Sequence, residues 1–337
     1  MQKALQKLDQ QIRTKNFSPD LLRIETLATL DYKGEKHPIK SYSVGSQDKT
    51  TPVLFLTGGI HGLERIGAQL AWSLLKSTID RLEWDRSLKD LFKSIRLIVC
   101  PLVNPIGYHH LMRSNGQGVD LMRNSPVLAV EKTPFLLGGQ TFSSRLPWFQ
   151  GTKGKLEEEN LSLERFFRSQ TTGSPCVISL DFHSGFGMKD RIWFPHSFSS
   201  KPFDDIGGLY SLVQLFENSH PYHVYQFEPQ SKAYLLNGDL WDYFYLEFKK
   251  NHGSTVYLPL TLEMGSWNWV RKNPIQIFSR QGPFNPIREH RIKRTFRRHF
   301  LFFEFLLKAL YSRESWVTSN PEQIKTNQKL GIEKWYE

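Results

Sequence analysis

Along the 337 residues, apolar positions gather into short unbroken runs separated by amphipathic stretches. The first such run is Val53-Leu54-Phe55-Leu56, within TPVLFLTGG. It offers no polar position to solvent, so it predicts a strand buried on both faces. The period then changes. In ERIGAQLAWSLLKSTIDRL, Ile66, Leu70, Leu74 and Leu75 recur at helical spacing and predict a helix. SIRLIVCPLV is a second continuous run, halted at Asn104-Pro105. Strand, helix, strand in that order calls for a parallel crossover and a sheet covered on both faces. Further strand-like runs follow at CVISLDFHS, RIWFP and TVYLPLTLEMG. Upstream, residues 1–30 read as a helix and connector. Residues 31–45 alternate about a Lys-Gly-Glu turn and read as a hairpin. Residues 125–160, rich in Pro, Gly and Ser, read as a long excursion over the surface. Near the end, FLFFEFLLKALY predicts a helix packed on the core, with Phe300, Phe302, Phe303, Phe305 and Leu306 as a core or oligomer-contact stripe. With no internal repeat, the simplest architecture is one α/β domain with a central mixed, mostly parallel twisted sheet flanked by helices. Residues 1–45 belong to that same domain, 46–312 form its main body and 313–337 read as a C-terminal tail.

Composition changes this picture little. A hydrophobic content of 39% is ample for a large core. The two cysteines, Cys100 and Cys176, sit in apolar runs and read as buried thiols, which leaves neither a disulfide framework nor a cysteine-rich zinc site. The N-terminal stretch MQKALQKLDQQIRTKNF lacks the apolar centre of a signal peptide. No apolar run approaches the ~20 residues that span a bilayer, so no transmembrane segment is expected. The expectation is a soluble, cytoplasmic protein. Net charge is +11, with much of the excess in RIKRTFRRH. No zinc-finger, RNP-like or KH-like signature accompanies that run, so nucleic acid is not expected as the main partner. The basic residues read instead as the exposed start of the last apolar helix.

The candidate chemistry lies just past the apolar strands, where open α/β sheets bind ligands. The first strand ends in GGIHGLE, giving His61 and Glu64. By themselves these read as a solvated turn histidine and a helix-start glutamate favoured by the helix dipole. The second strand gives Asn104, and the loop beyond it gives Arg113, Asp120 and Arg123. The third gives Asp181 and His183, and the fourth gives Glu263. Four strands thus deliver polar residues to one edge. His61, Glu64 and His183 would supply two imidazoles and a carboxylate, the His₂Glu donor set of zinc hydrolases with a position left for water. Glu263 would serve as general base, and the arginines would hold an oxyanion or an anionic substrate end.

The ordered set GGIHGLE, NPIGYHHLMRSNGQGVDLMRN, LDFHSG and TLEMG resembles the zinc metallocarboxypeptidase family over about residues 50 to 270. The resemblance implies a zinc carboxypeptidase-like catalytic domain over 46–312 and one Zn²⁺ held by His61, Glu64 and His183. It implies that Asp120 orients His61, that Arg113 polarises the scissile carbonyl, that Arg123 grips a terminal carboxylate and that Glu263 is the base. Tyr234 is the candidate for the tyrosine that caps the substrate, and Trp241 falls near the floor of the specificity pocket, with Asp239 and Asp242 beside it. The activity implied is removal of a C-terminal residue from a peptide or peptide-like substrate. The rival readings are a zinc deacylase of small N-acyl amino acids, a murein-peptide amidase and a zinc-binding protein without turnover. One departure bears on recognition: Met122 stands where the family has an amide that helps the arginine, and methionine cannot donate that bond. Four further features have structural or open readings. Asp181 is a buried carboxylate paired nearby, His109 and His110 are surface histidines with no third ligand in view, His196 is undecided, and Trp267 and Trp269 are core or groove residues.

Overall fold

The computed structural model describes residues 1–337 except Asn16 and Phe186. Helix α1 (Gln2–Lys15) precedes the hairpin β1 (Leu22–Tyr32) and β2 (Glu35–Gly45). The crossover β3 (Val53–Gly58), α2 (Arg65–Arg81), α3 (Arg86–Leu91), β4 (Arg96–Cys100) follows, then α4 (Pro105–His110). After the long excursion come α5 (Glu158–Thr171), β5 (Cys176–Gly185), β6 (Asp190–Phe194), α6 (Ile206–Ser219), β7 (Tyr225–Pro229) and α7 (Leu240–Asn251). The chain ends with β8 (Val256–Gly265), α8 (Trp267–Lys272), α9 (Glu289–Tyr311) and α10 (Pro321–Tyr336).

The eight strands form one sheet in the order β1-β2-β4-β3-β5-β8-β6-β7. Its centre, β4-β3-β5-β8, is parallel throughout. Every residue of β3 and β4 is buried, as their unbroken apolar runs require of strands covered on both faces. Ile66, Leu70, Leu74 and Leu75 of α2 all face the core. Helix and sheet approach closely at Gly67, where a Cβ would lie 2.1 Å from the Phe182 carbonyl oxygen, so a side chain there would push α2 off β5. Among the described residues, no helix is long and apolar enough to cross a membrane.

Three local differences from the sequence reading have physical reasons. The hairpin turns at Lys33-Gly34, both at positive φ, but its first strand begins at Leu22 rather than near 31. Strand β1 is an edge strand with mostly half-exposed positions, which masks its pattern. The Asn104-Pro105 pair starts a helix rather than only stopping a strand. Asn104 caps α4 by accepting from Gly107 N–H at 2.8 Å, and Pro105 takes the first turn, where its missing N–H costs nothing. Helix α9 matches the expected C-terminal helix, with Phe302, Phe303, Phe305 and Leu306 buried in the core. Beyond it, residues 313–337 hold a 3₁₀ turn and α10, which docks on α6. Trp335 is buried there and donates to the Phe227 carbonyl at 3.0 Å, and Gly331 lets the helix rest on Ile206 and Tyr210.

Candidate metal centre

The parallel strands β3, β5 and β8 place their carboxyl ends side by side. Past β3 the chain turns through Gly58-Gly59 into His61. At Gly62 a Cβ would fall 2.0 Å from the Gly107 backbone, so only glycine lets this loop lie against α4. Asn104 completes the arrangement by donating to the carbonyls of Ile60 and Ser114, each at 3.1 Å. One capping side chain therefore ties the His61 loop to the Arg113 segment. Glu64 precedes α2 yet makes no capping bond. The first turn of that helix is served instead by Asn285, which accepts from Ile66 N–H at 2.9 Å, so the Glu64 carboxylate is free to turn inward.

His61, Glu64 and His183 are buried and bring one donor atom each within 4.8 Å of the others. The Nδ1 atoms of His61 and His183 are 3.1 Å apart, and each lies 2.9 Å from a Glu64 oxygen. The far nitrogens are both held by carboxylates: His61 Nε2 by Asp120 at 2.9 Å and His183 Nε2 by Asp181 at 2.6 Å. A carboxylate accepts, so it fixes the proton on Nε2 and turns the Nδ1 lone pair inward. Two imidazole nitrogens and a carboxylate aimed at one point make a donor set that can hold a cation. The donor set is that of a zinc site with an open position. The field tells the same story. Burial would lower the His183 pKa, but the Asp181 and Glu64 carboxylates outweigh it and raise it well above the usual value. Burial likewise opposes ionisation of Glu64, yet the two imidazoles hold its pKa well below the ordinary range.

Asp181 is a buried carboxylate paired nearby, and its partner is the candidate ligand His183 itself. It is fully buried, accepts from Thr57 Oγ1 at 2.8 Å and Trp241 Nε1 at 3.0 Å, and sits two residues before His183 on the same strand face. That i, i+2 spacing was the available signal. Trp241 lines the cavity, and its indole N–H is committed to Asp181.

Asp120 caps the 3₁₀ turn Leu121–Arg123, accepting from Met122 N–H at 3.1 Å, and takes a second bond from Arg113 Nε at 2.9 Å. Arg113 also reaches Glu64 Oε1 through Nη1 at 3.0 Å. Burial pushes the Asp120 pKa up, but Arg113 and His61 hold it well below the usual range. Arg123 is 3% exposed, and its Nε has no hydrogen-bond partner. Among the described residues its side chain makes one bond, a long one from Nη2 to Leu137 O at 3.4 Å. Glu263 lies directly opposite His183 in the β5–β8 register. Burial, then the nearby Glu64 charge, push its pKa up to about 8.

These groups face a cavity of about 750 Å³. Met122, Tyr234, Asp239, Asp242 and Thr261 also line it, and the 125–160 excursion contributes Leu137, Pro147 and Trp148 to its wall. Tyr234 stands edge-on to Trp193 with ring centroids 6.4 Å apart. Asp239 and Asp242 are buried rather than at the surface. Asp239 caps α7, and Asp242 accepts from the backbone N–H groups of Ser197 and Phe198 and from the Ser197 hydroxyl. His196 is not in the cavity; its ring packs on Phe198, with Nδ1 3.7 Å from Asp242 Oδ1. Trp269 packs partly buried against the core.

Comparison with known proteins gives four findings. The zinc carboxypeptidase family profile matches residues 18–272. A carboxypeptidase B from Helicoverpa zea is 32% identical over 101 residues, which are 24% of this chain and only 22% of that protein's length. The fold is similar to the crystal structure of thrombin activatable fibrinolysis inhibitor, with a TM-score of 0.66 at 20% identity over 90% of this chain and 72% of that one. It is also similar to bovine thrombin-activatable fibrinolysis inhibitor in complex with tick carboxypeptidase inhibitor, with a TM-score of 0.65 at 20% identity over 92% and 97% of the two chains.

Proposed function

Because the chain belongs to the zinc carboxypeptidase family, we propose that it is a zinc-dependent peptidase that removes a C-terminal residue from a peptide or peptide-like substrate. The observation that carries this reading is the meeting of His61 Nδ1, Glu64 and His183 Nδ1 opposite Glu263, in one cavity with two arginines. One zinc ion held by those three residues supplies Lewis-acid polarisation of the scissile carbonyl and lowers the pKa of water to about 7. Glu263 takes a proton from the attacking water and passes it to the departing nitrogen. Arg113 has Nε and Nη1 committed to Asp120 and Glu64, and turns its remaining donors to the developing oxyanion. Asp120 and Asp181 hold the two imidazoles in the tautomer and orientation that ligation needs.

Arg123 receives the terminal carboxylate. Its nearly unpartnered guanidinium, buried at the cavity wall, favours an anionic ligand there. Met122 beside it offers no donor, so the guanidinium carries this recognition without a neighbouring side-chain amide. Tyr234 closes over the bound residue, and Trp241 backs its side chain.

The test is mass spectrometry of a peptide pool with free and amidated C-termini, incubated with zinc-loaded protein and with Glu263→Gln. Loss of single C-terminal residues from the free-carboxylate peptides alone, absent in the variant, is the expected result. Cleavage indifferent to the terminal carboxylate would remove Arg123 from its role. No cleavage of any peptide would turn the reading toward small acyl amino acids or cell-wall peptides. Met122→Asn restores the missing donor and is expected to tighten KM for free-carboxylate substrates while leaving kcat near its starting value.

A further inference from the structure

The segment that joins α8 to α9 has its polarity inverted. It opens with a 3₁₀ turn, Pro274–Phe278, of sequence PIQIF. In that turn the polar residue is the buried one. Gln276 donates to the carbonyls of Gly282 at 2.7 Å and Asn285 at 3.2 Å, and so closes the segment on itself. The apolar residues are left in solvent, with Ile275 79% and Phe278 89% exposed and Ile277 exposed beside them. Side chains three apart eclipse one another in a 3₁₀ helix, so Ile275 and Phe278 form a single outward row. A lone exposed apolar residue is ordinary, but a turn that buries its amide and presents its hydrocarbon is not.

Cations surround this row. Lys272 precedes Ile275 by three residues and Arg280 follows Phe278 by two, so their Cα atoms lie within about 11 Å and 8 Å of it. Arg291 donates to the carbonyls of Trp269 at 3.1 Å and Lys272 at 3.3 Å, which fixes the start of α9 beside the end of α8. Between residues 264 and 303 the chain carries nine lysines and arginines against one acid, Glu289. Glu289 is paired with Lys293, and Arg298 with Asp190. Among the described residues, Arg271, Lys272, Arg280, Arg288, Arg294 and Arg297 form no ion pair, and all six are exposed.

We propose that this segment docks the protein on an anionic lipid surface. Ile275 and Phe278 enter the boundary between headgroups and acyl chains, and the surrounding cations are held by acidic headgroups. The cations alone would suit any polyanion; the exposed aliphatic and aromatic row selects one that also offers hydrocarbon. The net charge of +11 draws the whole chain to the same partner. The far end of the segment belongs to the surroundings of the metal centre. Phe284 lines the cavity, and Asn285 accepts from Ile66 N–H and donates to the Leu63 carbonyl at 2.9 Å. Docking therefore brings the cavity close to the lipid surface, and it does not depend on the reaction assigned to that cavity.

The experiment is co-sedimentation of the full chain with vesicles of phosphatidylcholine alone and with vesicles of equal parts phosphatidylcholine and phosphatidylserine. The wild type is expected to pellet with the mixed vesicles, more weakly as salt rises, and to stay in solution with the neutral ones. Lys272→Ala combined with Arg280→Ala should weaken binding about 30-fold, from about 5-fold per cation. Ile275→Ser combined with Phe278→Ser should weaken it about 10-fold or more. Urea midpoints equal to that of the wild type show that both pairs fold. Cys100 and Cys176 are buried, so a Phe278→Cys protein takes a polarity-sensitive dye at one exposed thiol, and its emission should rise on the mixed vesicles. Equal binding to both vesicles, binding unchanged by the serine pair, or a dye that stays in water would each overturn the inference. So would binding to duplex DNA with none to vesicles, which would mark a nucleic-acid surface, or a dimer that the serine pair dissolves in sedimentation velocity, which would mark a contact between copies. Vesicle binding by a protein that hydrolyses no peptide would fault the peptidase reading alone.

Discussion

Asp181 is the residue whose replacement tests the site most sharply, because it joins the fold to the chemistry. It is fully buried and accepts from Thr57, His183 and Trp241. Asp181→Asn keeps the shape. With its amide turned, the nitrogen donates to the Thr57 hydroxyl, which can also accept, and the oxygen still takes both N–H bonds. What is lost is the negative charge behind His183. Removing such a support behind a metal ligand costs about 10–100-fold in metal affinity. Asp181→Leu is harsher. The Thr57 hydroxyl can rotate, but the His183 and Trp241 N–H groups stay buried without acceptors, at about 1–3 kcal/mol each. The expected loss of stability is therefore about 2–6 kcal/mol, even without metal. Zinc affinity is read by competition with a chromogenic chelator, and stability by urea unfolding of the metal-free proteins. The Asn variant should unfold near the wild-type midpoint but bind zinc more weakly, and the Leu variant should fail on both counts. If Asp181→Asn held zinc as tightly as the wild type, the charge behind His183 would have no part in the site.

Three further predictions follow from individual contacts. Glu263→Gln should bind zinc undiminished and lose about 10²–10⁴-fold in kcat, measured on the best peptide from the pool; equal turnover would remove Glu263 as the base. Gly185→Ala puts a Cβ 2.2 Å from Glu263 Oε1, the movable end of a side chain, so the carboxylate swings aside. Turnover should drop while the melting temperature hardly moves, and the reverse outcome would mean the glycine serves packing alone. Asp239→Asn tests a pH effect. Burial and then Asp242 push the Asp239 pKa up to about 7, against about 3.9 in an unfolded chain. The folded protein thus binds this proton more tightly. Stability is unpenalised near pH 4, falls as pH rises, and carries the full cost of a few kcal/mol above pH 7. Asparagine still caps α7 but cannot ionise, so urea midpoints should show a clear gain at pH 8 and a smaller one at pH 5; an equal gain at both would exclude the titration.

The central sheet was legible because burial on both faces leaves a plain mark, the unbroken apolar run. Strands β3 and β4 carry it most fully, and β5 and β8 carry it in part, broken by Ser179 and Asp181 and by Thr261 and Glu263. Elements that bury one side less completely were harder. Strand β7 is five residues with alternating burial. Helix α10 buries only Gly331 and Trp335, so its composition resembles a tail. Helix α6 is different, since Ile206, Leu209, Leu212, Val213 and Phe216 recur at helical spacing and could have been read.

In the site, the same contrast separates ligands from their supports. His61 and Glu64 are three residues apart and announce themselves, and the order of the later motifs points to His183, Arg113 and Glu263. The supports depend on which strands become neighbours. Asp181 receives Trp241 across 60 residues and Thr57 across 124, and no pattern in the sequence states either pairing. Yet a buried histidine has two nitrogens, and if one faces a metal the other needs an acceptor. Applied to His183, that requirement asks for a carboxylate or carbonyl on its own strand face, and Asp181 is the residue two positions away. Applied to His61, it asks for an acceptor from another element, and Asp120 supplies it from beyond α4.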